Sequence, residues 1–143
     1  MSIGIASDHG GFELKSSIID TLSELSFQDF GTDSQDSVHY PHIADALCKN
    51  IQSGIIDHGI LICGTGIGIS MRANRYSGIR AALVHSEFTA QMAKAHNNAN
   101  VLCLGGRTTT KEDALHFITT WLNTPFESGR HLTRIELIDA PIQ

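Results

Sequence analysis

The sequence has no basic excess: 10 Lys and Arg stand against 15 Asp and Glu, for a net charge of -5. A nucleic-acid binder normally carries a basic face, so that class is excluded. Cysteine is scarce: Cys48, Cys63 and Cys103 are odd in number and form no CxxC pair. This excludes a disulfide framework and a structural zinc site, and it fits free thiols in a reducing, cytoplasmic setting. No stretch approaches the roughly 20 apolar residues needed to span a membrane. The start, MSIGIASDHGG, lacks the basic segment and the apolar length of a secretory signal. Prolines number only 3, and no repeat, low-complexity tract or linker interrupts the chain. The 143 residues are therefore expected to form one domain, 1–143, large enough for a real core.

What is present alternates between two periods. Short β-rich runs occur at Ser2–Ser7, Phe27–Phe30, Gly59–Cys63, Ile79–Val84 and Asn100–Gly105. Between them, Leu14, Ile18, Leu22 and Leu25 share one face of a helix over Phe12–Leu25. Ile43, Leu47 and Ile51 do the same behind Pro41, which suits a first helical turn. A short helix is expected near Ile69–Asn74, and Ser86 caps another that runs to His96. Thr110 caps a long helix through Leu122, and a last helix or arm follows Gly129. The alternation predicts a doubly wound, five-stranded parallel α/β sheet with helices on both faces and a C-terminal helix. Ligands of such sheets bind beyond the carboxyl ends of the strands. The groups expected there are Asp8-His9, Cys63 to Gly68, His85-Ser86 and Gly105-Gly106-Arg107.

The stretch ICGTGIGIS, Ile62 to Ser70, carries three glycines at alternate positions behind a thiol. It misses the dinucleotide fingerprint, because Ile69 occupies the third glycine position and the stretch follows the third strand. It also lacks the Lys-Ser/Thr pair of a P-loop. Its backbone amides at a helix start suit an anion or oxyanion, although a plain strand-to-helix turn remains open on this run alone. Cys63 favours chemistry. Cys48 and Cys103 read as small buried hydrophobes, whereas Cys63 ends its strand beside amides that favour a thiolate nucleophile or base. Thr65 places a hydroxyl two residues on. His58 and His116 read as ordinary surface or helix positions, and Pro41 spoils a regular metal pair between His39 and His42. With no HExxH and no tight His/Cys/Asp cluster, no metal site is expected. His96 ends a helix, and His9 follows Asp8 at the first strand's end. Arg130 and Arg134 stand at i and i+4 without an intervening acid, a spacing that suits phosphate, and Arg107 offers a third guanidinium.

Together these pieces resemble the type B ribose-5-phosphate isomerases, a family that includes the galactose-6-phosphate isomerase subunits. The matching stretches are Ser7 to Phe12, Tyr40-Pro41, Ile62 to Ser70, Gly78 to Ala81, His96-Asn97 with Asn100 to Leu102, Gly105 to Arg107, and Arg130-His131 with Arg134. They span nearly the whole chain in the family's order. The resemblance implies a homodimer or tetramer acting on a small sugar phosphate without cofactor. It implies Cys63 as the base that moves a proton between C1 and C2, assisted by Thr65. The amides of Gly64, Thr65, Gly66, Ile67 and Gly68 then cradle the enediolate oxygen, and His96 opens the furanose ring. Asp8 and Asn97 hold sugar hydroxyls with His9 alongside. Arg107, Arg130 and Arg134 contact phosphate or substrate, the C-terminal pair reaching a neighbouring subunit's site.

One branch of the family replaces the cysteine by a carboxylate a few residues on; here Ser70-Met-Arg-Ala contains no acid, so the cysteine branch fits. Asn98 and His42 depart from the aspartates common at those places. Specificity for a six-carbon sugar phosphate, allose or galactose 6-phosphate, is the nearest alternative. A non-catalytic sugar-phosphate sensor is a more distant one, since binding alone needs no thiol base.

Overall fold

The computed structural model describes residues 1–143. Five strands, β1 (Ile3–Ser7), β2 (Phe27–Asp29), β3 (His58–Cys63), β4 (Ala81–Leu83) and β5 (Val101–Gly105), pair in the order β2-β1-β3-β5-β4. Every pairing is parallel. The helices are α1 (Phe12–Thr21), α2 (Tyr40–Gln52), α3 (Ile67–Ala73), α4 (Glu87–Ala95), α5 (Lys111–Asn123) and α6 (Arg130–Asp139). The expected doubly wound sheet is the one observed.

The expected helix over Phe12–Leu25 stops early, at Thr21. Leu22 stays buried and its N–H still bonds the Ile18 carbonyl at 2.9 Å, so the apolar pattern outlasts the helix that it predicts. Both expected N-caps are present. Ser86 accepts from the Thr89 N–H at 3.1 Å while Thr89 Oγ1 accepts from the Ser86 N–H at 3.0 Å, and Thr110 accepts from the Asp113 N–H at 3.2 Å. Each such cap stabilises its helix by about 1 kcal/mol.

Two apolar layers sandwich the sheet. One joins Ile5, Ile60, Ile62, Leu102 and Leu104 to buried residues of α1, α4 and α5. The other joins Ala6, Leu61, Cys63, Val101 and Cys103 to α2 and α3, with Cys48 among them. Strands buried on both faces explain the near-continuous apolar runs in β3 and β5. Arg72 holds α3 onto α2 by a two-pronged bond to Asp45, at 2.7 and 3.2 Å. That hydrogen bond is the main cause holding the Asp45 carboxyl below its usual pKa.

One buried polar cluster stands inside the first layer. Lys94 Nζ lies 2.8 Å from His58 Nε2, and both flank the fully buried ring of Trp121. His58 is therefore a core contact, not the idle surface position expected of it, and its Nδ1 has no hydrogen-bond partner. Burial pushes both pKa values down, from 6.5 for His58 and from 10.5 for Lys94. Each group thus binds fewer protons folded than unfolded, so stability rises with pH from each lowered pKa up to its ordinary value, and it is lost on acidification. Melting temperatures measured from about pH 5 to pH 9 should fall toward acid. Replacing the pair together, His58→Phe with Lys94→Met, should flatten the acid slope and raise the neutral-pH melting temperature by about 3–5 °C. Lys94→Met alone strands the imidazole Nε2 and should gain less. An unchanged acid slope in the double variant would assign it to other groups.

Candidate active site

The chain leaves β1 toward β2 on one side, while β3 lies on the other. The crevice beyond the carboxyl ends of β1 and β3 is thus the sheet's switch point. Asp8 enters it from β1 as the cap of a short 3-10 turn, His9–Gly11; its Oδ1 accepts from the N–H groups of Gly10 at 2.9 Å and Gly11 at 3.2 Å. Both bonds fall on one oxygen, which leaves Oδ2 for another partner. Val38 donates its N–H to His9 Nδ1 at 3.2 Å, so the neutral ring carries its proton on Nε2 and offers it as a donor.

Cys63 ends β3, 5% exposed, and its Sγ accepts the Gly66 N–H at 3.1 Å. Gly66 takes φ +79°, and a Cβ there would stand 3.0 Å from the Leu104 carbonyl and press into Leu83. Left-handed backbone in so close a space admits only glycine. The turn is stitched to the end of β5: Gly106 donates to the Cys63 carbonyl at 2.8 Å and Arg107 to the Gly64 carbonyl at 2.9 Å. Thr65 is exposed, and its Oγ1 accepts the Ile67 N–H at 3.3 Å. Arg107 lies over the turn, its Nη1 3.0 Å from where a Gly64 Cβ would be, and the Tyr40 ring covers Gly68. A cavity of about 270 Å³ opens beside them, lined by His9, Gly10, Glu13, Gln35, Gly106 and Arg107. Asp8, His9, Cys63 to Gly68 and Arg107 are therefore brought together at one edge.

His96, Asn97, Arg130 and Arg134 are not among them. His96 caps the carboxyl end of α4, which runs back against the strands, and Asn97 leads into the start of β5. Gly105, at the other end of β5, is the residue paired with Cys63. A strand of this length separates the two sets by on the order of 15 Å. Asp8 and Asn97, expected to hold one sugar, likewise stand at opposite edges of the same chain.

The second edge has its own architecture. Arg80 donates to the carbonyls of Asn97 at 3.1 Å and Asn98 at 3.0 Å and pairs with Asp139 at 2.7 Å, tying the His96 turn to the end of α6. Asn98 takes φ +43°, a conformation that Asn tolerates well, which accounts for its place in this turn. His131, unassigned in the sequence, is buried and stacks on His96 with ring centroids 4.1 Å apart and planes at 12°. Glu127 reaches both imidazoles, and the i, i+4 spacing of Glu127 and His131 was the available signal. These three offer donor atoms within 4.8 Å of one another. A larger cavity, about 640 Å³, also opens at this edge, lined in part by Tyr76, Arg80, Asn97, Ile138 and Ile142. Volume and chemistry disagree here, and the thiol beside preorganised amides is the better guide to where bonds change.

A thiol, oriented amides and a guanidinium beyond the strands of a doubly wound sheet are the equipment of an enzyme that acts on a small anionic substrate. The model of the ribose/galactose isomerase family matches residues 3–138, and the chain belongs to that family. Ribose-5-phosphate isomerase B of Escherichia coli (strain K12) is 41% identical over 140 residues, covering 96% of this chain and 94% of that protein. The solved Clostridium thermocellum ribose-5-phosphate isomerase B superposes with a TM-score of 0.95 at 45% identity, covering 97% of this chain and 95% of the other. The Mycoplasma genitalium ribose-5-phosphate isomerase B, solved with bound ribulose 5-phosphate, gives 0.91 at 42% identity, covering 96% of this chain and 93% of that one. No helix is long and apolar enough to cross a membrane.

Cys63→Ala and Cys63→Ser should each cost about 10²–10⁴-fold in isomerase turnover, the usual loss for one proton-transfer group, with sugar-phosphate binding retained. Iodoacetamide should inactivate the native enzyme, and a bound sugar phosphate should protect it. Steady-state rates with parallel binding titrations check both, and normal turnover in Cys63→Ala would remove the thiol from the mechanism.

Proposed function

We propose that this protein interconverts ribose 5-phosphate and ribulose 5-phosphate through an enediolate, as a homodimer or tetramer whose active sites are shared between chains. The reading rests on one observation above all: Cys63 Sγ sits in hydrogen-bond contact with the glycine turn, at 3.1 Å from the Gly66 nitrogen. The relatives named above support the substrate.

In this reading the Cys63 thiolate takes the C2 proton of the open-chain aldose and returns it to C1, with Thr65 assisting. Charge developing on the sugar oxygen falls among the amides of Gly64 to Gly68, already oriented by the stitching to β5 and needing no reorganisation as the charge appears. Asp8 Oδ2 and His9 Nε2–H take sugar hydroxyls, and Arg107 anchors the anion. His96 opens the ring, Asn97 holds a hydroxyl, and Arg130 and Arg134 bind phosphate. Side chains and amides suffice for this chemistry.

Sharing follows from the two edges. One substrate cannot touch Cys63 and His96 of the same chain, so the set His96, Asn97, Arg130 and Arg134 has to come from a second copy. The surface carries the exposed apolar residues that an interface uses: Met71 on α3 is 67% exposed, Phe88 at the start of α4 66% and Leu137 on α6 71%. A two-fold dimer that lays one edge against the other makes two identical composite sites.

Coupled assays with ribose 5-phosphate, allose 6-phosphate and galactose 6-phosphate test the substrate; a preference for either hexose phosphate would overturn the five-carbon assignment. Mixing inactive Cys63→Ala chains with inactive His96→Ala chains tests the sharing. Random exchange makes about half the dimers mixed, each with one intact and one doubly damaged site, so roughly a quarter of all sites should regain function. A mixture that stays inactive after verified exchange would place both groups in one chain's site.

A further inference from the structure

At the carboxyl end of α4, two imidazoles share one carboxylate oxygen. His96 Nε2 lies 3.7 Å and His131 Nε2 3.6 Å from Glu127 Oε1. The backbone builds this arrangement deliberately close. Glu127 donates its N–H to the Ala95 carbonyl at 2.9 Å, which fixes the acid beside His96. Ser128 and Gly129 then take φ of 61° and 56°, reversing the chain so that α6 begins with the His131 N–H on the Ser128 carbonyl at 3.1 Å. The His131 side chain is 8% exposed and that of His96 36%, so His96 is the ring a ligand can reach and His131 backs it.

One carboxylate supports one imidazolium well and two badly, since two cationic rings 4.1 Å apart repel. Burial first, then His96 and the Arg130 guanidinium, push the His131 pKa below its ordinary value, with Glu127 opposing. The other charges around the pair are Arg134 on α6 and Arg80 with its partner Asp139 behind the Asn97 turn. Lys94, two residues before His96, is turned to His58 instead. Of the two rings, His96 is the more exposed, and Glu127 lies beside the nitrogen that it turns away from a ligand.

We propose that Glu127 and His131 are positioning residues for ring opening: Glu127 holds a proton on His96 through Nε2, and the His131 ring fixes the plane from which His96 Nδ1 delivers a proton to the sugar. This rests on the ring-opening role of His96 given above. In the step, the C1–O4 bond breaks with its electron pair going to O4, which takes the Nδ1 proton. The C1 hydroxyl proton passes to water as the aldehyde forms, and water later restores the proton on His96.

The test uses Glu127→Gln, His131→Phe and His131→Ala beside His96→Ala, with kcat/KM for ribose 5-phosphate followed across pH and solvent isotope exchange at C1 of ribulose 5-phosphate measured in parallel. Ribulose 5-phosphate cannot form a furanose and reports the proton transfer without ring opening. Glu127→Gln should move the alkaline limb for ribose 5-phosphate about one unit toward acid, a loss of about tenfold on that limb, with C1 exchange changed less than about twofold. His131→Ala should lose about tenfold on the cyclic sugar, and His131→Phe, which keeps a flat ring, should recover most of it. Nitrogen-15 NMR titration of the unaltered protein should show His131 titrating below the ordinary imidazole value of 6.5, a readout that requires no variant to fold. An unmoved limb in Glu127→Gln, a Phe variant as impaired as Ala, or a His131 that titrates at or above the ordinary imidazole value would overturn the proposal. Equal losses in ring opening and C1 exchange for His96→Ala would instead overturn the role of His96 on which it rests.

Discussion

A parallel sheet sends every strand's carboxyl end to one edge, and that directional constraint organises this molecule. Asp8, Cys63 and Arg107 all stand at or just beyond the carboxyl ends of strands, so they meet without any special arrangement. His96 and Asn97 follow a helix that runs back against the strands, so they are sent to the other edge by the same rule. Five parallel strands thus send these residues to two opposite edges of the sheet, which is why the proposed site needs a second copy of the chain.

Within the thiol's edge, precision comes from backbone. The turn after β3 is held by bonds from Gly106 and Arg107, while Gly66 provides the left-handed corner that lets its N–H reach Sγ. Gly106 lies so near the Gly10 carbonyl that a side chain there would force the β1 and β5 loops apart. Close approach of three loops is what turns a flexible glycine run into a fixed set of donors, and preorganised donors stabilise developing charge more than mobile ones do.

The opposite edge works through side chains. Arg80 gathers the carbonyls of the Asn97–Asn98 turn and the end of α6, and Glu127 draws in two stacked imidazoles. Helix α6 thereby joins the chain's end to the end of α4, which carries Arg130 and Arg134 to the same side as His96. Long side chains suit this edge because the groups that they connect come from segments distant in sequence.

Much of this was legible in the residue order. Short apolar runs located the five strands and apolar spacings of three and four the first two helices, because a strand buried on both faces leaves a continuous run and a half-buried helix a repeat along the chain. The thiol before a glycine run, the caps Ser86 and Thr110, and the arginine pair at i and i+4 were visible for the same reason: each depends on near neighbours. The burial of His58 against Lys94 and the stack of His131 on His96 were not, since each depends on contacts between segments tens of residues apart. Sequence determined which chemical groups this protein has and at which strand and helix ends they stand. Only the tertiary structure decided which of those ends meet, because the direction of packed elements, and not their spacing along the chain, sets which edge of the sheet each group reaches.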